Sequence, residues 1–343
     1  MTPALSALRK GFPDSHISLL INPWVKEIFD GNPDFDETII YDEKGKERSL
    51  KGKIKFIRSL RNRNFDAGIV MQPRSYKAAL FVYLSRIPER IGYGHSLRNL
   101  LLTRIVKPPK VSLHAVDTFL NIVLSLGVEP ARKEPYLPSS PQANDWAEKF
   151  LGKQGVSIGE LLIGINPGAF KQSKRWPEPR YAELSDKMIK EFGAKVIIFQ
   201  GPGEDNIVEK VVSLMRKKAI VANTSIKELA ALSRRCKLFV SNDTGPMHVA
   251  AASGTRVIAL FGPANPERSH PWGGDHIVIK KDLPCSPCSR IVCKELNCMK
   301  AITVEEVFQA VRVQLERIEE SKRRPSPAKE VEKEIEQGNS TTV

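Results

Sequence analysis

The chain has 343 residues, 41% hydrophobic and 27% charged, with 53 lysines and arginines against 39 aspartates and glutamates. That length is enough for two domains with substantial cores, and no apolar run reaches the roughly 18 residues that a membrane-spanning helix needs. MTPALSALRKGF offers no long apolar stretch before Arg9 and Lys10, so it does not read as a secretory signal and a cytoplasmic chain is expected, while the net charge of +14 points to anionic partners.

Thr2-Pro3-Ala4-Leu5 reads as a helix start, with Thr2 as cap and Pro3 at the first helical position. A doubly wound domain normally opens with a strand and a tight loop. The expectation is that both are missing: either the domain begins unconventionally or the given start lies downstream of the true one. Next come HISLLIN, ETIIYD, DAGIVMQ and RIGYG as strands, with KGKIKFIRSLRNR, SYKAALFVYLSR and HAVDTFLNIVLSLG as helices. Lys44, Lys46, Arg48, Lys51, Lys53, Lys55, Arg58, Arg61 and Arg63 fall almost consecutively. With no aromatic-rich RNA-binding signature and no Cys2His2 finger, nucleic acid is not the expected partner. The run is either a solvated helix face or an anionic docking surface.

EPYLPSSPQ, with three prolines, reads as the connection out of this first half, and residues 144–151 as a helix leading into the second. From Leu161 the chain alternates regularly. LLIGINP, KVIIFQG, AIVAN, KLFVSND, RVIALFG and HIVIKK are strand-like, and most are separated by helical stretches. Continuous apolar strands alternating with helices indicate a parallel sheet covered on both faces, an α/β doubly wound arrangement. TVEEVFQAVRVQLERIEESKRR is a final amphipathic helix, and PSPAKEVEKEIEQGNSTTV reads as a disordered charged tail. The expected domains are residues 1–140 and 141–322, both Rossmann-like and the first without its opening strand, with the tail over 323–343.

In open parallel sheets ligands bind at the carboxyl ends of strands. In VSNDTGPMHVAAASG an acid, a hydroxyl and a histidine sit where a strand hands over to a helix. Gly245 lets backbone pass close to a ligand, Pro246 suits the first turn, and the free N–H groups there form a phosphate cradle. His248, one turn in, is placed to donate to a phosphate or a sugar hydroxyl; the alternative is a plain helix cap. In INPGAFKQSKRWP, Lys174 is placed to neutralise a phosphate at the sheet edge, and Trp176 reads as a packing anchor. In QGPGEDN, Glu204 is either an acceptor for a ribose or sugar hydroxyl or a first-turn acid facing the helix dipole. LFGPANPERSHPWG is a loop placed to close the same cleft. The absence of G-x-G-x-x-G at a strand–helix junction and of G-x-x-x-x-G-K-[ST] argues against a dinucleotide dehydrogenase and a P-loop nucleotidase.

Cys285, Cys288, Cys293 and Cys298 form C-x2-C-x4-C-x4-C, and Cys236 stands apart. Four thiols so close together fit a structural zinc, an iron–sulfur cluster or plain thiols; disulfides are disfavoured in a cytoplasmic chain.

SNDTGPMHVAAASGTRVIALFGPANPERSHPWG, backed by NPGAFKQSKRWP upstream and RIPERIGYGHSLRNLLLT in the first half, resembles glycosyltransferase family 9, the lipopolysaccharide heptosyltransferases, and most closely the heptosyltransferase II type. The resemblance covers nearly the whole chain. It implies the GT-B architecture, two Rossmann-like domains with the active site between them. It also implies inverting transfer of heptose from ADP-heptose to the lipid A-Kdo inner core of lipopolysaccharide. No cofactor or catalytic metal is implied, and the expected place of work is the cytoplasmic face of the inner membrane, in peripheral contact with its anionic surface. By resemblance, Lys174 matches the family's phosphate-binding lysine and Asp243, Thr244, Gly245 and His248 its D-[TS]-G-x-x-H motif, with Pro246 and Met247 inside it. Glu204 is the counterpart of the ribose-contacting acid. The family's presumed base is an aspartate just ahead of a T-P-A-L segment, which here would lie upstream of Met1. The catalytic residue is therefore unassigned, and poor transfer without upstream residues is expected. The alternatives are another GT-B enzyme, such as a different sugar transferase or a nucleotide-sugar epimerase, and a donor-binding remnant without turnover.

Overall fold

The computed structural model describes residues 1–288 and 290–323, so the tail expected over 323–343 lies, past Arg323, outside the described residues. The first half runs α1 (Thr2–Gly11), β1 (Ser18–Ile21), α2 (Lys26–Phe29), β2 (Glu37–Ile40), α3 (Leu50–Arg61), β3 (Ala67–Val70), α4 (Tyr76–Leu84), β4 (Glu89–Tyr93), β5 (Arg104–Val106) and α5 (Ala115–Leu124). Between β4 and β5 lies a 3-10 turn, Ser96–Leu101. The strands form two parallel sheets, β1–β2 and β3–β4–β5. Serines fix where helices begin: Ser49 accepts the Gly52 N–H and Ser75 the Ala78 N–H, each satisfying a donor that the first turn leaves open.

Thr2 is not the cap expected of it. Met1 caps α1, Thr2 lies inside the first turn, and its hydroxyl instead accepts the Tyr136 N–H at 3.1 Å. The threonine thus holds the connecting segment rather than its own helix. Small residues of α1, Ala4 and Ala7, let it pack closely on Val116, Leu120 and Val123 of α5.

The second half runs α6 (Pro141–Lys153), β6 (Leu162–Asn166), α7 (Glu178–Phe192), β7 (Lys195–Gln200), α8 (Asp205–Leu214), β8 (Ile220–Asn223), α9 (Ile226–Arg235), β9 (Leu238–Asn242), α10 (Gly245–Ala252), β10 (Arg256–Phe261), α11 (Pro266–Ser269), β11 (Ile277–Lys280), α12 (Asn297–Lys300) and α13 (Val304–Arg323). Its six strands are parallel in the order β11-β10-β9-β6-β7-β8. Every residue of β6 and β9 is buried, as expected of central strands covered on both faces. Alternate residues face two cores. Ile163, Ile165, Leu238 and Val240 face α7 and α13, while Leu162 and Phe239 face α6, α9 and α10.

The strand order locates the crevice. From β6 the chain steps outward to β7 and β8, returns through α9 to β9 on the other side of β6, and continues to β10 and β11. The direction reverses between β6 and β9, so the loops leaving their carboxyl ends diverge and leave open space between them. The halves meet on one side through α2 and α9, where Glu27 accepts the Ile226 N–H at 3.1 Å and Lys227 lies 3.6 Å from Asp30.

The core beneath this crevice depends on the Phe199–Phe239 pair, with centroids 5.1 Å apart and both rings fully buried. Phe239→Ala is expected to cost about 3–5 kcal/mol, measured as a lower urea midpoint with retained far-UV circular dichroism.

Candidate functional site

At the end of β9, Asn242 holds the crevice in shape. Its Oδ1 accepts the Trp176 N–H and the Tyr181 hydroxyl, each at 3.0 Å, and its Nδ2 donates to the carbonyls of Pro167 at 2.9 Å and Gly168 at 3.2 Å. One buried amide thus meets all its bonding capacity while gripping both ends of the loop after β6. Trp176 is the packing anchor its size suggests: it is buried, and Nε1 donates to the Ile302 carbonyl at 2.9 Å.

Lys174 stands in that loop, at the end of a 3-10 turn (Gln172–Lys174). Its Nζ donates to Asp243 Oδ2 at 2.5 Å and to the Asp243 carbonyl at 3.2 Å. Asp243 is 4% exposed and Lys174 24%. The carboxylate is therefore enclosed, and its countercharge keeps one side open to the crevice. Residues 69 positions apart are joined across the switch point.

Helix α10 begins two residues later. Thr244 is its extended N-cap, and the side chain makes no capping bond, so the plain-cap alternative fails for the threonine hydroxyl. The first-turn amides therefore lack the side-chain acceptor a cap would supply. A methyl built on Gly245 meets nothing within 4 Å: the glycine leaves room at the helix mouth that the fold itself does not use. Pro246 occupies the first turn. Met247, expected among the donor-binding residues, is fully buried in the core between the sheet and α9, so it seats α10 on the sheet and offers no exposed atom to the crevice.

The His248 ring reaches solvent, but protein surrounds it on both sides of the cleft. That desolvation lowers its pKa from 6.5 to about 4, with the nearby His114 and Lys174 adding to the effect against an opposing pull from Asp243. At neutral pH His248 is an uncharged, ligand-accessible imidazole.

Glu204 precedes α8, and its Oε2 accepts the Gly201 N–H at 2.9 Å. A Cβ on Gly168 would fall 1.9 Å from Glu204 Oε1, so the carboxylate lies directly on the loop after β6. The acid closes its own turn and at the same time stands on the crevice wall.

Two features were missed from sequence. Asn242 was hidden as the last polar residue of an apolar strand; its position just before Asp243 was the available signal. The other is His114, the N-cap of α5. Its Nδ1 accepts the Val116 N–H at 3.1 Å, which fixes the proton on Nε2, and that nitrogen donates to the His270 carbonyl at 2.9 Å. Its ring also lies 4.6 Å from His270 and 4.8 Å from Trp272. The loop after β10 therefore does meet the first half.

Cys285 and Cys288 are exposed, Cys298 is buried, and the Cys293 thiol accepts the Leu296 N–H at 3.4 Å. Among the described residues no group of three or more His, Cys, Asp or Glu side chains is placed to hold a metal. The segment braces the crevice: the Arg290 and Ile291 carbonyls accept the Ser173 hydroxyl at 2.6 Å and its N–H at 3.1 Å, one residue before Lys174. Cys236 is enclosed, and burial pushes its thiol up to about 12.

Because Asp243 is buried, Lys174→Ala leaves an uncompensated carboxylate and is expected to cost about 1–3 kcal/mol. Adding Asp243→Asn should recover most of that stability in thermal melts; a double variant no more stable than the single one would show that the pair is not the source of the loss.

The model of glycosyltransferase family 9 (heptosyltransferase) matches residues 53–299. The lipopolysaccharide heptosyltransferase 2 of Salmonella typhimurium is 27% identical over 286 residues, covering 80% of this chain and 81% of that protein. The crystal structure of a family 9 glycosyl transferase from Veillonella parvula superposes with a TM-score of 0.82 at 29% identity, covering 92% of each chain. The E. coli ADP-heptose lps heptosyltransferase II has a TM-score of 0.72 at 24% identity over 93% of this chain and 96% of that one, a likeness of fold. With its two α/β halves of parallel sheets, the chain has the GT-B architecture of these neighbours and belongs to glycosyltransferase family 9, the heptosyltransferases.

Proposed function

We propose that the crevice between β6 and β9 binds the diphosphate of ADP-heptose, and that the chain transfers the heptose, with inversion, to the lipid A-Kdo inner core of lipopolysaccharide. The observation that carries this reading is the meeting of Lys174 with the open mouth of α10 at the switch point. Helix amides and an ammonium are what a diphosphate needs on two sides. The match to lipopolysaccharide heptosyltransferases and the ADP-heptose named for the E. coli neighbour support heptose as the sugar and a lipopolysaccharide acceptor.

In the reaction the bond from the anomeric carbon to the diphosphate oxygen breaks, and charge gathers on the departing nucleoside diphosphate. The α10 amides and Lys174 are oriented before the reaction and stabilise that charge most at the transition state. Neutral His248 donates a hydrogen bond to the diphosphate or to a heptose hydroxyl. Glu204, on the wall beside β7, accepts from the ribose. Asp243, paired with Lys174, holds the ammonium in place beside the donor. The base is assigned to no residue of this chain, so donor binding is tested apart from turnover. The lipid acceptor sets the place of work at the cytoplasmic face of the inner membrane.

Calorimetric titration with ADP is expected to show binding that Lys174→Ala weakens by about 10- to 100-fold, the range of a charge-assisted hydrogen bond. Gly245→Val should lose at least about tenfold in ADP affinity, because its Cβ enters space at the helix mouth that is open in the fold, and a melt run alongside separates that loss from a loss of stability. Wild-type affinity in both variants would refute the site. If UDP-sugars are consumed and ADP-heptose is not, the transferase is of another kind.

His248 also makes binding pH-dependent. Its pKa is about 4 in the free protein, and a bound diphosphate favours the charged ring and raises that value. Protons are therefore taken up on binding wherever the pH lies between the two values. ADP-heptose, whose diphosphate carries no titrating proton in this range, is expected to bind more tightly as the pH falls from 7 to 5. The trend should vanish in His248→Gln.

A further inference from the structure

The first half carries an apolar surface that neither its core nor the donor crevice uses. Helix α4 buries Ala79 and Phe81, yet Tyr76, Leu80, Tyr83 and Leu84 are each 41–45% exposed. Their spacing of i, i+4, i+7 and i+8 puts them on one stripe. The 3-10 turn at Ser96–Leu101 adds Leu97 and Leu100, 74% and 75% exposed. At three residues per turn, positions i and i+3 share a face.

The two elements form one surface. The Tyr76 hydroxyl lies 3.2 Å from His95 Nδ1, and Arg90 spans the gap, with its guanidinium 5.5 Å from the Tyr83 ring centre and its Nε donating to the Leu101 carbonyl at 2.8 Å. Arg98, fully buried between Leu97 and Leu100 in sequence, anchors the turn by donating to the Pro73 carbonyl. The leucines are thus held outward on a fixed base. On the other flank lies α3, packed on α4 through Phe56 and Phe81, whose centroids are 5.8 Å apart. Its exposed Lys51, Lys55 and Arg58, at i, i+4 and i+7, make a basic stripe beside the apolar one.

We propose that the outer face of α4 and the 96–101 turn, with the basic face of α3, is a docking surface for an anionic lipid bilayer. The apolar side chains enter the boundary between headgroups and acyl chains, with Tyr76 and Tyr83 at the headgroup level where amphipathic rings settle. The lysines and arginine meet the anionic headgroups. Charge complementarity selects this occupant: a second copy of the chain would set one basic stripe near another, whereas an anionic bilayer neutralises it. The surface borders the residues that follow the carboxyl ends of β3 and β4, so docking there brings a membrane-anchored acceptor to the rim of the cleft. This step rests on the lipid-acceptor reading above; the surface itself does not.

The test is flotation of the full chain with vesicles of phosphatidylethanolamine and phosphatidylglycerol, compared with phosphatidylcholine alone, with ADP titration and sedimentation on the same samples. Wild type is expected to partition onto the anionic vesicles. Leu97→Ser/Leu100→Ser should reduce partitioning about tenfold or more, and Lys51→Glu/Lys55→Glu should remove its salt-sensitive part; both should keep wild-type ADP affinity, which shows the fold and the donor crevice intact. Equal partitioning of the leucine variant overturns the proposal, as does a wild type that ignores anionic vesicles. A wild-type dimer that the leucine changes dissolve also overturns it, by assigning the face to a second copy. Loss of ADP binding in wild type would sink the donor reading and leave vesicle binding to stand or fall separately.

Discussion

The structure of the crevice depends on the Lys174–Asp243 pair. The two residues leave neighbouring central strands whose connections run in opposite directions, so backbone pairing does not continue above the sheet to hold their loops together. The ion pair does so at 2.5 Å. A carboxylate as enclosed as Asp243 is tolerable only with a partner and further bonds, so the loop after β6 must return to it. Asn242, one residue before, holds that same loop through Trp176, Pro167 and Gly168. Ser173 ties it to the cysteine-bearing segment on its far side. The position of the ammonium is thus fixed before any ligand arrives, and little ordering cost remains to be met on binding.

The second half was legible because its four central strands are buried on both faces. All six appear in the sequence as apolar runs with polar or glycine-rich ends, and the helices between them keep their period. The first half has shorter strands with more exposed residues, and β5, only Arg104–Val106, was missed. Three residues cannot show a period, and the neighbouring RNLLLT looks equally like helix. Lys174 and Asp243 were each visible at a strand end, but their direct contact across 69 residues was not, since local spacing carries no information about which loops converge. Met247 was misread because it lies inside a ligand-facing motif while its own side chain turns inward, as one residue in each helical turn must. Thr2 had the right residue type for a cap and was used by Tyr136 instead.

His248 links the two halves electrostatically. Its low pKa arises in part from His114, on the first half, and His114 is held there by the His270 carbonyl. Any change in how the halves approach one another would alter the hydration of that ring and its readiness to stay neutral. The interdomain contact and the chemistry of the donor site are therefore one variable.

A neutral imidazole, an ammonium already paired with a carboxylate and a row of backbone dipoles give a site with little net charge of its own. This matters for a transferase that must release a nucleoside diphosphate. A site of several unpaired cations would bind donor and product alike, and uniform binding does not accelerate a reaction. In the proposed donor crevice the amides at the head of α10 and one tethered lysine face the same space, so their field would act most on charge that develops there as the sugar leaves. The pairing of Lys174 with Asp243 moderates its grip on the ground-state diphosphate, and its fixed direction preserves its effect on the transition state.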